Sequence, residues 1–192
     1  MKKIMFNDKY GLTQAVLDGR KTQTRRIAYM PNGFITFDDE DFQLKKLDNG
    51  HVLLMLCNNE FKTAHYKIGE EVAIAQRYSD IADTLGQKLW QLPCWRNKMF
   101  VKADFMPHRI RITNIRDERL QDISEEDCMA EGIYPKANGR WYCYDVVRRM
   151  GVSYDPYPDP REAYAALIDK ISGEGTWESN PWVFVYDFEL VK

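Results

Sequence analysis

The chain has 192 residues, with 27 basic and 29 acidic side chains, for a formal charge of −2 and a pI near 6.0. That balance excludes a protein that coats nucleic acid through overall positive charge, so any such contact must be a local basic patch. Hydrophobic residues make up 44% and aromatic residues 13%, enough for one sizeable domain with a real core.

Taken in chain order, "KKIMF" reads as a short opening strand, and its three-residue apolar run is too short for a signal-peptide core. In "YGLTQAVLDG", Leu12, Ala15 and Val16 recur at helical spacing and Gly19 supplies a stop. The segment "GRKTQTRR", Gly19 to Arg26, then places four cations in eight residues with no apolar side chain. The negative end of the preceding helix accounts for two of these cations, Arg20 and Lys21. "GFITFDD" (33–39) reads as a strand and the acidic run Asp38 to Asp41 as a solvated loop. "DFQLKKLDNG" and "HVLLMLC" read as a hairpin turned at "DNG". In "KIGEEVAIAQRY", a turn at Lys67 and Gly69 leads into a strand in which Val72, Ile74 and Gln76 alternate with Ala73, Ala75 and Arg77. From Ser79 to Asn97 a loop with a helical turn is expected.

"HRIRITNIRDERL" predicts a strand with Ile110 and Ile112 on one face and Arg109, Arg111 and Thr113 on the other. "ISEEDCMAEGI" predicts a short helix capped by Ser124 and ended by Gly132. "YDPYPDP" is a proline-rich loop, and "PREAYAALIDKISG" a helix opened by Pro160. The last strand, "NPWVFVYDFELVK", is apolar on both faces from Trp182 to Tyr186 and belongs in the interior of a sheet. Seven or eight strands, about three short helices and no regular βαβ alternation predict an α+β fold, a mixed, mostly antiparallel sheet curled into a barrel. The chain reads as a single domain, 1–192, with insertions at about 28–66 and 134–159.

Negative signals narrow the chemistry. No run of 18 apolar residues suggests a membrane span, so no membrane partner is expected and the reading is cytoplasmic. Cys57, Cys94, Cys128 and Cys143 form no C-x-x-C pair, and no histidine stands at ligand spacing, so reduced thiols and no metal are expected. His51, His65 and His108 are isolated. There is no G-x-G-x-x-G or P-loop, and no cofactor is expected. Arg109 and Arg111 read as charges on a solvated face, and Trp177 and Trp182 as core or cleft-wall aromatics. What remains is "GRKTQTRR": either a solvated connection or an anion or nucleotide site, where arginine forks bind phosphate and Lys21, once desolvated, acts as a base.

The pattern G-x-K-x-x-x-x-R (Gly19 to Arg26) after a short helix resembles the signature of the ASCH domain family. It is followed in order by K-x-G-E-x-V (Lys67 to Val72), by I-x-x-I-x-x-E-R-L-x-D-I-S-E-E-D-x-x-x-E-G-I (Ile112 to Ile133) and by W-x-x-N-P-W-V-x-V-Y-x-F (Trp177 to Phe188). The likeness is closest to longer phage- or bacteria-type members with insertions. It implies a PUA-like barrel and an RNA or nucleotide-like ligand in a cleft lined by Gly19, Arg20, Lys21, Thr24, Arg25, Arg26, Gln76 and Trp182. Some small members are amidohydrolases of N-acylated cytidine; carried over, their catalytic lysine, threonine and glutamate fall on Lys21, Thr24 and Glu131, with Glu125 and Glu126 as alternatives for the last. Three functions follow: a binding module for RNA or a modified nucleotide, an amidohydrolase, or a protein-interaction module whose insertions hold the partner. Side chains three apart in a strand face opposite ways, so Lys21 and Thr24 share a cleft only if the chain bends after Gly19.

Overall fold

A computed structural model describes residues 1–28, 42–56, 61–85, 95–136, 139–142 and 157–191. The strand expected over 33–39, the acidic run Asp38 to Asp41, Cys57, Cys94, Cys143 and residues 154–156 of the proline-rich loop lie outside them. The strands are β1 (Lys3–Ile4), β2 (Gln23–Ile27), β3 (Phe42–Lys46), β4 (Val52–Leu56), β5 (Phe61–Thr63), β6 (Glu71–Ile74), β7 (Arg109–Arg119), β8 (Tyr134–Pro135), β9 (Trp141–Tyr142) and β10 (Trp182–Val191). The helices are α1 (Leu12–Leu17), α2 (Ala82–Leu85), α3 (Glu125–Ala130), α4 (Pro160–Ser172) and α5 (Thr176–Ser179). The class is mixed α+β, as expected.

The main sheet has the order β1-β6-β7-β10-β2. Only β1 and β6 run parallel; the other pairs are antiparallel. Among the described residues no strand pairing joins β2 back to β1, so the sheet is open rather than a closed barrel. β10 lies between β7 and β2, the interior position its apolar faces demanded. The hairpin of β3 and β4 forms as "DNG" predicted, and β5 completes a three-stranded sheet. This hairpin is no detached appendage: Val52, Leu54, Ala64 and Tyr66 are buried in the main core beside Ile110, Ile112 and Tyr186.

β7 departs from simple alternation. Ile110 and Ile112 are fully buried, but the next buried residue is Ile115 rather than Asn114. A bulge opposite Asp187 and Phe188 leaves Thr113 unpaired and shifts the phase by one residue. That shift keeps Ile115 in the core, where each such side chain contributes about 1.5–3 kcal/mol. It also turns Asn114, Arg116 and Glu118 together onto the opposite face.

The helices cap as their sequences require. The Ser124 side chain accepts from the Asp127 amide, and Asp159 does the same for Glu162 ahead of α4. Pro160 occupies the first turn of α4, which packs Ala163, Tyr164, Leu167 and Ile168 inward at helical spacing. Those residues cover the face of the sheet that carries Arg25, Val183 and Val185.

Candidate functional site

The site is built where two helix ends meet. α1 and α3 both finish in a Schellman motif with a left-handed glycine, Gly19 (φ 73°) and Gly132 (φ 101°). At α1 the Arg20 amide donates to Ala15 O and the Gly19 amide to Val16 O; at α3 the Ile133 amide donates to Cys128 O and the Gly132 amide to Met129 O. The first motif turns the chain away after Gly19, as the spacing of Lys21 and Thr24 demanded, and runs it into the second. Thr22 N–H then takes Ala130 O, and β2 begins one residue later.

This arrangement buries Lys21, which is only 2% exposed. Its ammonium donates to the Glu131 carboxylate (Oε2) and, at 2.9 Å, to the Glu131 backbone carbonyl. Its charge therefore answers the negative end of α3, not that of α1 as the sequence suggested. Arg20 stays at the surface, bonded to Asp18. Burial lowers the Lys21 ammonium below the ordinary lysine pKa; Glu131 opposes the fall through attraction and hydrogen bonding, and Arg26 and Arg25 add to it.

Arg25 is fully enclosed and neutralised by three carboxylates, one on β7 and two at α3. It reaches Glu118 at 2.6 Å, Asp127 at 2.8 Å and Glu131 at 3.2 Å, and its Nη1 also donates to Gln23 Oε1 at 2.5 Å. Burial works against that charge, but Glu131, Tyr164 and Glu118 outweigh it and hold the guanidinium above its ordinary pKa. Arg116 shares Asp127 and Glu118 and forks onto Asp187. For Asp127 burial favours the neutral acid, yet the Gln23 hydrogen bond and the two arginines hold the carboxyl below its usual pKa. This ionic network ties α3 to β2, β7 and β10.

Beside the Lys21–Glu131 pair opens a cleft of about 220 Å³. Lys21, Thr24 and Glu131 line it together with Phe6, Leu120 and Tyr164. Along β2, Gln23 and Arg25 share a face with Asp187 and Val185, while Thr24 and Arg26 share the other with Tyr186 and Phe184. β2 is the outermost strand, and the cleft wraps its edge, which is how Thr24 and Arg25 both reach one cavity. Burial pushes the nearby Cys128 thiol up to about 12 and drives the Tyr164 phenol well above its normal range, so neither is an anionic nucleophile at neutral pH.

Of the residues singled out in the sequence, Lys21, Thr24, Glu131, Arg25 and Arg26 line this cleft. Gly19 shapes the approach through its turn. Gln76 lies elsewhere, its side-chain oxygen 2.7 Å from His108 Nδ1. Trp182 lies under the Arg119 guanidinium, 4.9 Å from the ring centroid, and is not among the residues of the cleft wall. Glu125 and Glu126 sit in the exposed first turn of α3, so Glu131 is the helix glutamate that faces the cleft. Phe6 and Tyr164 escaped the sequence reading because each fits an ordinary core pattern; for Tyr164 the only signal was its place in the apolar stripe of α4.

No family model, curated protein or solved structure matches the chain. Fold and site together define an α+β protein with a small cleft built on a buried lysine–glutamate pair. No helix among the described residues is long and apolar enough to cross a membrane.

Proposed function

We propose that the protein is an amidohydrolase that removes the acyl group from an N-acylated cytosine, with Thr24 as nucleophile, Lys21 as base and Glu131 as proton carrier. The observation that carries this reading is the convergence of these three residues on one cleft, with Lys21 and Glu131 buried and hydrogen-bonded to each other. The ordered ASCH-like motifs and the mostly antiparallel sheet support an ASCH domain, a PUA-like fold. The cleft is below the ~300–1,000 Å³ of pockets for drug-sized ligands, which suits one base with its acyl group.

The reacting form arises when the proton of the Lys21–Glu131 hydrogen bond passes to the carboxylate, which leaves Lys21 as the free amine. Thr24 Oγ attacks the acyl carbonyl carbon and gives its proton to Lys21. The C–N bond breaks as Glu131 delivers its proton to the departing nitrogen, leaving the acyl group as an ester on Thr24. Water then attacks that ester and gives its proton to Glu131, Lys21 returns a proton to Thr24 Oγ, and the free acid leaves.

A basic, purely electrostatic cleft fits less well. Arg25 is enclosed by carboxylates and Arg20 is paired with Asp18, so only Arg26 of that arginine cluster stands exposed at the cleft. Binding of a nucleotide-like ligand without chemistry is the second reading, favoured by that exposed arginine. Incubation with N4-acetylcytidine, followed by chromatography, separates the two. Hydrolysis predicts cytidine release that falls about a hundredfold or more in Thr24→Ala. No turnover above that variant rejects the hydrolase, and ligand binding retained in it supports the second reading.

A further inference from the structure

A second cavity, about 480 Å³, continues from the cleft. The two share Met5, Phe6, Asn7, Arg26 and Ile171 as a common wall. The chemistry changes abruptly across that wall. Five cations line the groove, Lys9, Arg26, Arg77, Arg96 and Lys98, against the single carboxylate of Asp8. In a chain of net charge −2 this is the local basic patch that composition left as the sole means of binding an anion.

The patch is organised, not a loose scatter of surface charge. Asp8 takes Lys98 at 2.6 Å on one oxygen and Arg77 at 3.3 Å on the other. Lys98 also donates to the Phe6 carbonyl and, at 3.2 Å, to the Thr13 hydroxyl. Arg26 donates to the Met5 carbonyl at 2.8 Å. Asp8 thus positions two cations while neutralising one charge, and Lys9, Arg26 and Arg96 remain exposed at the rim. Arginine forks on a concave surface match the oxygens of phosphate.

We infer that this groove is a phosphate subsite, so that the acylated cytosine enters the cleft as part of a phosphorylated molecule, a nucleotide or an RNA strand, rather than as a free nucleoside. The nucleoside part of this statement rests on the function proposed above; the phosphate part rests on the groove alone. The small cleft holds the base and acyl group, and the sugar-phosphate leaves it past Arg26 into the groove.

The test uses the full chain and calorimetric titration with inorganic pyrophosphate, cytidine, cytidine 5′-monophosphate and pentacytidylate. Pyrophosphate is expected to bind wild type and to weaken at least tenfold in Arg77→Ala/Arg96→Ala, and the monophosphate is expected to bind at least tenfold tighter than cytidine. The charge reversal Arg96→Glu, at an exposed position, gives the same direction of change if the double variant fails to fold. A further gain for pentacytidylate over the monophosphate, with a steep salt dependence, assigns the groove to a strand; equal affinity assigns it to a single nucleotide. Absence of pyrophosphate binding, or binding unchanged in both variants, overturns the inference. Because pyrophosphate reports without catalysis, loss of the hydrolase reading leaves this result standing, and turnover of N4-acetylcytidine 5′-monophosphate insensitive to the groove arginines leaves the hydrolase standing alone.

Discussion

Replacing Glu131 by glutamine strips one charge from a buried pair and changes little else in shape. Removing one partner of such a pair costs about 3–5 kcal/mol, because the other charge stays desolvated. Here the loss falls at the low end, about 3 kcal/mol. Lys21 keeps the Glu131 backbone carbonyl at 2.9 Å, a hydrogen bond that no side-chain change removes. Arg25 likewise keeps Glu118, Asp127 and the Gln23 oxygen. For a chain of this size a loss of about 3 kcal/mol lowers the melting temperature by roughly 6–12 °C. The loss should also depend on pH in a definite sense. Burial already places the folded-state pKa of Lys21 below 10.5, and without Glu131 that pKa falls further. The folded variant then binds fewer protons than the unfolded chain, so its stability rises as pH climbs from the lowered value toward 10.5. Adding Lys21→Met removes the stranded ammonium, so the double variant should recover most of the loss. Guanidinium melts of the four proteins at pH 6 and 9 form the cycle. Losses that simply add, or a single-variant loss under about 1 kcal/mol, would refute the claim that the pair is desolvated and coupled.

Other outcomes follow from the same geometry. Gly132→Ala should cost about 1–3 kcal/mol by thermal melt, because φ of 101° strains any side chain there; its Cβ has ordinary space against Leu12 and Lys21, so the cost is in the backbone, not in a clash. Asp127 is depressed below 3.8, so its network contributes stability above that pH and loses it as pH falls through the lower folded-state value. An acid series of denaturation midpoints from pH 6 to 2.5 should show a shallower decline in Asp127→Asn. Because the reacting Lys21–Glu131 pair holds one proton in total, kcat/KM on N4-acetylcytidine should fall as pH rises through the loss of that proton, which lies below 10.5, and a rate still climbing up to pH 10.5 would exclude these roles.

Local signals in the sequence carried the elements well. The caps Ser124 and Pro160, the terminators Gly19 and Gly132, and the "DNG" hairpin all act through neighbours a few residues away, so spacing alone reveals them. The bend after Gly19 was legible for the same reason. The partners of the cations were not. Arg25 meets carboxylates on β7 and α3, about a hundred residues off, and "EED" in α3 reads equally well as a complement to the helix dipole. Lys21 looked like a cation serving the end of its own helix, yet it serves the end of another. The strand expected to run through Gln76 ends at Ile74, and the Gln76 oxygen is taken by His108, a contact that the pairing of β6 with β7 brings about and sequence distance does not show. Closure of a sheet into a barrel is likewise a global property that alternation within single strands does not specify, and among the described residues the main sheet stays open.

Phe6 has a further consequence. The Lys21 ammonium lies 5.9 Å from its ring centroid, while its backbone carbonyl receives Lys98 from the groove. One residue therefore addresses two compartments by different means, ring to the first and peptide to the second. Substitution of its side chain would retune the surroundings of Lys21 and leave the anchorage of Lys98 in place. The two chambers can in this way diverge independently, one altering the wall around Lys21 while the other keeps its hold on Lys98.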